Sequence, residues 1–193
     1  MEAATDLFYR NGYRGTSVDD IGAAAGVSKS NFYYHFTSKE ELGVAVLARR
    51  RADMETLAAA TLGDGRADAA DRLARFLAGL EQLQVSYMAN GGCPFGNFVV
   101  EMAEHSERFR AFVGDTFVTL TERIAVVVAE AQRAGAIRSD AAPHDLAALV
   151  LMAVQGMHVI TKCYRSTATF HEGSRLLLRL VAAGSGPAQS ATV

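Results

Sequence analysis

The chain has few of the residues that build disulfide frameworks, β-rich folds or rigid turns. Its 193 residues include two cysteines, three prolines and no tryptophan, and aromatic residues make up 8%. Two thiols are too few for a disulfide framework, so we expect both to be reduced. Strand-like alternation of apolar and polar residues is nearly missing. Half of the residues are hydrophobic, chiefly alanine, leucine and valine, and this composition predicts an all-α protein.

The sequence also lacks a long uncharged apolar run and a strong net charge. The longest such run, residues 146–161, is shorter than the roughly 20 residues that cross a bilayer. The first six residues do not form the basic-then-apolar start of a secretory signal. We therefore expect a cytoplasmic protein with no membrane segment. A net charge of −2 excludes a generally basic nucleic-acid binder, so any nucleic-acid site must be a local patch.

Glycine-rich breaks separate segments with helical periodicity. Each longer segment has one apolar stripe, typical of core packing in a helical bundle. In the fifth segment the stripe consists of Leu73, Phe76, Leu77, Leu80 and Leu83. The last ten residues, 184–193, have no apolar face, and we predict that they are disordered. The predicted helices are 3–11, 18–25, 29–34, 39–62, 70–89, 95–105, 108–134, 144–164 and 171–183.

Residues 16–28 have the pattern of two short helices joined by a tight turn. Ser17 is a suitable N-cap, and two aspartates follow it in the first helical turn. The small residues 23–25 would allow a close approach between helices. Gly26 supplies a left-handed residue, and Ser28 is a suitable cap for the next helix. This spacing predicts a helix-turn-helix.

The second helix of this pair has the composition of a local nucleic-acid site. Residues 28–39 contain two lysines and no acidic residue. Phe32 and Phe36, four residues apart, are expected to face inward, which turns residues 33–35 outward. Small hydroxyl and amide groups at the start of the helix can reach base edges or phosphates in a major groove.

Residues 7–42, LFYRNGYRGTSVDDIGAAAGVSKSNFYYHFTSKEEL, closely resemble the DNA-binding motif of the TetR family of transcriptional repressors. The resemblance implies a three-helix DNA-binding domain over 1–45 and a helical ligand-binding and dimerisation domain over 46–183. It also implies a regulator without catalytic residues, metal or cofactor. By this resemblance the residues that meet DNA are Thr16, Ser17, Lys29, Ser30, Asn31, Tyr33, Tyr34, His35 and Lys39.

The resemblance further implies a homodimer formed through residues 144–183, which binds double-stranded DNA and a small-molecule or electrophile effector. The run LAALVLMAV in this region is apolar on nearly every face of the helix. One monomer would bury only part of this apolar surface, which favours a second copy as the partner. A two-fold dimer places its recognition helices in successive major grooves, so we expect a near-palindromic operator.

Cys93 lies in the glycine-rich stretch ANGGCPFGN. Pro94 suits the first position of a helix, which makes Cys93 its N-cap and predicts a lowered thiol pKa. A reactive sensor and a packing residue both remain open at this point. The turn is similar to that of a TetR subgroup that senses electrophiles and oxidants through a cysteine at this place. In that subgroup a late lysine can assist the thiol, and Lys162 is the candidate here.

Gln155, His158 and Lys162 share one face of an otherwise apolar helix. This face either lines an effector pocket opposite Cys93 or forms a polar seam at an interface or solvent edge. The remaining candidates for an apolar pocket wall are Phe95, Phe98 and Met102.

Two other classes of function use the same residues. Cys93 with His105 or His158 as base would make a thiol enzyme, but no catalytic motif surrounds them. His158, Cys163 and His171 would make a metal sensor, but their spacing is irregular.

Overall fold

The computed structural model describes residues 1–87 and 92–183, and this part of the chain forms nine α-helices. The predicted all-α class is confirmed. Residues 88–91 of the glycine-rich stretch and the tail predicted to be disordered, 184–193, lie outside the described residues. The helices are α1 (Glu2–Asn11), α2 (Val18–Ala25), α3 (Lys29–His35), α4 (Lys39–Thr61), α5 (Ala69–Tyr87), α6 (Pro94–Met102), α7 (Glu107–Arg133), α8 (Pro143–Tyr164) and α9 (Ala168–Val181).

Most predicted boundaries lie within two residues of the observed ones, and α6 and α9 differ most. α6 ends at Met102, because the next residues turn and Ser106 becomes the N-cap of α7, where its hydroxyl accepts from the Phe109 amide. α9 begins at Ala168, three residues earlier than predicted, although Thr167 makes no side-chain cap hydrogen bond.

The helix-turn-helix forms as the caps predict. The Ser17 hydroxyl accepts from the Asp20 amide, and the Asp20 carboxylate accepts from the Ser17 amide, which completes a capping box. Gly26 is left-handed, with φ 67°, a conformation that glycine adopts without strain.

The prediction that residues 23–25 provide the close helix approach is wrong, because all three are exposed. The tight contact is at Gly22, which is buried on the inner side of α2. A Cβ at this position would lie 2.9 Å from the carbonyl oxygen of Val27, in the turn before α3.

Two hydrophobic clusters form the core. One joins α5, α7, α8 and α9 with the end of α4. The other joins the first four helices with α6 and the start of α7. At its centre the rings of Phe8, Tyr13, Phe98 and Phe109 pack with centroids 4.9 to 5.6 Å apart. This second cluster and the unbroken α4 both cross the predicted 45/46 boundary, which stays a prediction.

Helix α8 is, within residues 1–87 and 92–183, the one helix long and apolar enough to cross a membrane. The uncharged run 146–161 alone did not predict such a helix, because it is shorter than the helix, which extends over Pro143–Tyr164. The same composition is typical of the central helix of a bundle, and α8 packs against both α7 and α9. The finding is therefore weak evidence for a membrane segment.

Candidate functional site

An inner cavity of about 70 Å³ lies between α1, α4, α5, α6, α7 and α8. Its wall is mainly apolar and includes Met54, Leu80, Phe95, Phe117, Leu120 and Val154. Phe95 therefore lies at the cavity, as predicted. Since six helices contribute to the wall, a molecule inside the cavity could contact residues from several helices at the same time.

Three polar side chains enclose one part of the cavity. The Arg50 guanidinium donates to the Tyr9 hydroxyl at 3.1 Å and to the Asp53 carboxylate at 3.2 Å. Burial raises the pKa of Tyr9 to about 12, with Arg50 opposing the rise, so the phenol stays protonated. Tyr9 belongs to α1, and the other two belong to α4. The cavity thus touches the first helix of the chain directly.

Gln84 and His158 are buried on the cavity wall with unpaired polar atoms. Neither the Nε2 nor the Oε1 atom of Gln84 has a hydrogen-bond partner among the described residues, and the Nδ1 atom of His158 has none either. Burial lowers the pKa of His158 to about 4, so its imidazole is neutral near pH 7. A ring of Phe170 packs on the imidazole with centroids 4.9 Å apart.

Cys93 is the N-cap of α6, as predicted, but burial opposes the lowered thiol pKa that this position predicts, and a sensor role for the thiol stays a prediction. The side chain is buried, and burial raises the pKa of the Cys93 thiol above its usual value. The Gly96 amide, the Gln155 side chain and the Phe95 amide lie close enough to oppose this rise without cancelling it. The loss of water around the sulfur outweighs the partial positive charge of the helix end.

An outer groove of about 560 Å³ adjoins the cavity. The two spaces share five lining residues, which form the partition between them: Gly92, Cys93, Phe117, Gln155 and His158. Lys162 lies in the groove, exposed to solvent, and donates to the Asn97 Oδ1 atom at 3.2 Å. The predicted face of α8 therefore faces both spaces.

Phe98 and Met102, also predicted for the pocket wall, do not line the cavity or the groove. Phe98 is buried in the aromatic centre of the second cluster, and Met102 packs against that cluster. The Phe98 ring thus packs against Phe8 of α1 and Phe109 of α7 rather than against α8.

The exposed face of α3 is the candidate nucleic-acid interface. Tyr34 is 84% exposed and Tyr33 is 50% exposed, whereas Phe32 is 4% exposed. His35, Ser30 and Asn31 are also exposed, and the Asn31 amide donates to the Ser28 cap. Lys29 forms an ion pair with Asp19 at 3.0 Å, but both side chains are largely in water, so the pair holds the lysine only weakly.

Thr16 and Lys39 make internal contacts that the sequence did not reveal. Thr16 is buried, and its hydroxyl donates to the Gly12 carbonyl at 2.8 Å. The Lys39 ammonium donates to the Tyr13 and Thr16 carbonyls at 2.9 and 2.8 Å and lies 4.3 Å from the Tyr13 ring centroid. Partial burial lowers the pKa of Lys39. Both side chains thus hold the turn between α1 and α2. Ser17 is exposed beside that turn.

Of the two other functional classes, the thiol enzyme has Cys93 and His158 on the same cavity wall, but the Nδ1 atom of His158 has no hydrogen-bond partner among the described residues. Neither cysteine is paired, and within residues 1–87 and 92–183 no three His, Cys, Asp or Glu side chains gather where they would hold a metal ion. His105 is exposed and lies 3.2 Å from Arg14 in a contact remote from the buried Cys93.

Residues 1–46 match the family described as bacterial regulatory proteins, tetR family, and residues 69–177 match the tetracyclin repressor-like C-terminal domain. The second match spans more than half of the chain. The chain belongs to the TetR family. It is therefore a transcriptional regulator, and the predictions of family, fold and a non-enzymatic function are confirmed.

Among TetR-family relatives, the HTH-type transcriptional repressor DhaR of Mycobacterium sp. (strain GP1) is 33% identical over 166 residues, 86% of this chain and 82% of that protein. The regulatory protein TetR from Rhodobacter sphaeroides has a similar structure, with a TM-score of 0.84, 27% identity and coverage of 93% and 95% of the two chains. The reduced form of Escherichia coli NemR has a TM-score of 0.77 at 20% identity, with 95% of both chains covered. The last likeness shows the fold alone.

Sequence reasoning missed four polar residues of the inner cavity, namely Tyr9, Arg50, Asp53 and Gln84. The first three meet only because α1 and α4 pack together, which no local pattern reveals. Gln84 did leave a signal. It lies four residues after Leu80 and seven after Leu77, so it is a polar residue on the buried stripe of α5.

Proposed function

We propose that this protein is a homodimeric repressor that binds a near-palindromic operator through α3 and is released by a small molecule in the inner cavity. The observation that carries the DNA-binding part is the α3 surface, where Tyr33, Tyr34 and His35 face water while Phe32 anchors the helix. Side chains that are exposed on a short helix with a buried anchor contribute little to folding, and they suit contact with base edges and phosphates.

Operator binding by the purified dimer tests this proposal. A palindromic sequence from the region next to its own gene is titrated at two stated salt concentrations, because phosphate contacts make affinity salt-dependent. We expect Tyr34→Ala to weaken binding at least about tenfold. Val126→Ala, an exposed change on α7, is the control with unchanged binding. Unaltered affinity of the Tyr34 variant would reject α3 as the DNA-reading surface.

Variants of Lys39 and Lys29 distinguish a lysine that also positions the turn between α1 and α2 from one that only contacts DNA. Since its ammonium already bonds the Tyr13 and Thr16 carbonyls, we expect Lys39→Ala to lower both operator affinity and thermal stability. Lys29→Ala removes only an exposed ion pair, so it should lower affinity and the salt dependence while leaving stability unchanged.

An apolar stripe on α8 supports the homodimer. Leu149, Met152, Val159 and Ile160 are exposed at helical spacing in the monomer, and Leu176 and Leu180 extend the apolar surface onto α9. A surface of this kind in water favours burial against a second copy. These residues lie within the predicted interface, residues 144–183. If the dimer covers the apolar surface of α8, that helix does not need a membrane, which is consistent with the predicted cytoplasmic location.

Control by an effector rests on the position of the cavity. Its wall includes Tyr9 of α1 as well as Arg50 and Asp53 of α4, and α4 also carries Lys39 at its start. An effector that binds one arrangement of these helices better than the other shifts the population toward that arrangement. Binding in the cavity would thereby change the spacing of the two recognition helices.

The burial of Cys93 favours reversible binding over thiol modification as the trigger. A buried, protonated thiol reacts slowly with electrophiles. We expect a reversible effector to release the Cys93→Ser variant from its operator as it releases the native protein. If the native protein, but not this variant, is released by a quinone or hypochlorite, then Cys93 is the sensor and the covalent mechanism predicted from the GCPFGN turn is correct.

A further inference from the structure

The amide of Gln84 is buried on the cavity wall without a partner for either of its polar atoms. The side chain is 4% exposed, and both its Oε1 and its Nε2 lack a hydrogen bond among the described residues. Leaving a buried donor and acceptor unpaired is costly, so such groups normally meet a ligand or ordered water. Because Gln84 lines the inner cavity, its missing partner belongs inside that cavity.

A second unpaired group faces the same space from a different helix. The imidazole of His158 is 7% exposed, and its Nδ1 atom has no partner. Gln84 belongs to α5 and His158 to α8, so the two groups reach the cavity from separate walls. Together they present three open hydrogen-bonding positions in a wall that is otherwise mainly apolar.

The charge of the cavity points to a neutral occupant. Its two charged side chains, Arg50 and Asp53, are paired with each other at 3.2 Å. The remaining polar groups, including Tyr9 and His158, are neutral near pH 7. A carboxylate would enter a space with no unmatched positive charge, and its desolvation would oppose binding.

We propose that the effector is a small neutral molecule with an adjacent donor and acceptor, as in a lactam or primary amide, on an apolar body. Its N–H donates to the Gln84 Oε1, and its carbonyl accepts from the Gln84 Nε2. His158 Nδ1 accepts from, or donates to, a further polar atom of the ligand. This assignment rests on the proposed function, since it names the molecule that would occupy the regulatory cavity.

The size of the cavity limits the body of the ligand. A single water occupies roughly 10–15 Å³, and the cavity has a volume of about 70 Å³. A ring of about six or seven non-hydrogen atoms is consistent with that space. The lactam 2-piperidone has this size and carries its N–H and carbonyl on neighbouring atoms.

Calorimetric titration of the full-length dimer without DNA provides the test. The probes are 2-piperidone, cyclohexanone, which keeps the ring and the acceptor but lacks the donor, and pentanoate, which carries a charge. We expect saturable binding of 2-piperidone and at least about tenfold weaker binding of the other two. No binding of 2-piperidone, as when water alone fills the cavity, or equal binding of all three probes would overturn the proposal.

Variants of Gln84 separate a ligand contact from a structural role. Gln84→Leu should weaken 2-piperidone binding at least about tenfold while the melting temperature stays equal or rises, because the variant removes an unpaired buried amide. Gln82→Leu on the exposed side of α5 is the matched control with unchanged binding. Gln84→Met is a second variant if the branched side chain disturbs folding. Unchanged binding in the Gln84 variants, or a large fall in melting temperature, would overturn the assignment.

Operator binding is measured separately and without any of these probes. A protein that binds its operator but not 2-piperidone refutes only the ligand class. A protein that binds 2-piperidone through Gln84 but not DNA refutes only the proposed repressor function.

Discussion

The imidazole of His158 packs on Phe170 and has little contact with water. Its Nδ1 finds no protein partner, and burial lowers the pKa of His158 from 6.5 to about 4. The same loss of water raises the pKa of the Cys93 thiol. At the scale of single residues, desolvation therefore keeps both groups uncharged near pH 7, and this favours a cavity that recognises neutral molecules.

The His158 pKa makes the free energy of unfolding depend on pH. Above pH 6.5 the imidazole is neutral in both states. As the pH falls from 6.5 toward about 4, the unfolded chain binds a proton that the folded protein does not, so stability falls. From pH 7 to pH 5 this loss is on the order of 2 kcal/mol.

Urea unfolding at the two pH values measures this effect. His158→Leu should remove that part of the pH dependence, whereas His144→Leu, a change of an exposed residue, should retain it. An identical pH dependence in the native protein and the His158 variant would mean that the imidazole is not protected from water.

At the scale of the helical elements, the contact between α2 and the turn before α3 leaves no room for an added atom. A Cβ at Gly22 would lie 2.9 Å from the Val27 carbonyl oxygen, whereas a Cβ at Gly114 on α7 would meet nothing within 4 Å. The first contact sets the distance between α2 and α3, because backbone cannot move aside as a flexible side chain does. The orientation of α3 relative to α2 therefore depends on this glycine.

Alanine at these two glycines is expected to act in opposite directions. Gly22→Ala should destabilise the protein by about 1–3 kcal/mol and weaken operator binding, because α2 and α3 must separate. Gly114→Ala should stabilise it by about 0.5–1 kcal/mol, since alanine is the better helix former at an open position. Thermal unfolding measures both, and equal effects would contradict the tight contact.

Helix α6 links the cavity to the DNA-facing part of the molecule. Cys93 and Phe95 at its start lie on the cavity wall. Near its end, the Glu101 carboxylate accepts from the Tyr13 and Arg14 amides at 3.3 and 2.9 Å, in the turn before α2. A shift of α6 at the cavity would therefore pull on the turn that positions the helix-turn-helix.

Hydrogen exchange tests the role of Glu101. In Glu101→Ala the Tyr13 and Arg14 amides lose their acceptor, so we expect faster exchange there and a loss of about 1 kcal/mol in stability. Glu104→Ala changes an exposed carboxylate on the next turn of the chain and should leave these amides protected. Slow exchange of both amides in the Glu101 variant would contradict the link.

At the scale of the whole molecule, the proposed homodimer rests on the exposed stripe on α8. Val159 is 65% exposed in the middle of this stripe, and a two-fold axis would place it against the same surface of a second copy. A carboxylate there would lose its water on association without gaining a partner.

Analytical ultracentrifugation measures the consequence for the dimer. Val159→Asp should raise the dimer dissociation constant at least about a hundredfold. Val126→Asp places the same charge on an exposed position of α7 and should leave the dimer intact. A native protein that sediments as a monomer, or a Val159 variant that remains dimeric, would contradict assembly through α8 and α9.

The sequence by itself determined the features that depend on neighbouring residues. Serines at 17 and 28 and Gly26 specify the helix-turn-helix, because caps and left-handed turns are local. Phe32 and Tyr34 have the predicted orientation, since helical periodicity assigns them to opposite faces. The face of α8 with Gln155 and His158 was predictable for the same reason.

Only the tertiary structure decided which of these residues share a space and how much water each retains. Phe98 packs between α1 and α7 rather than at the cavity, Tyr9 of α1 reaches the cavity wall, and Lys39 bonds two carbonyls of a distant turn. The raised thiol pKa of Cys93 has the same origin. Burial and long-range contacts arise when helices far apart in sequence pack together, and periodicity along one helix carries no information about its partners.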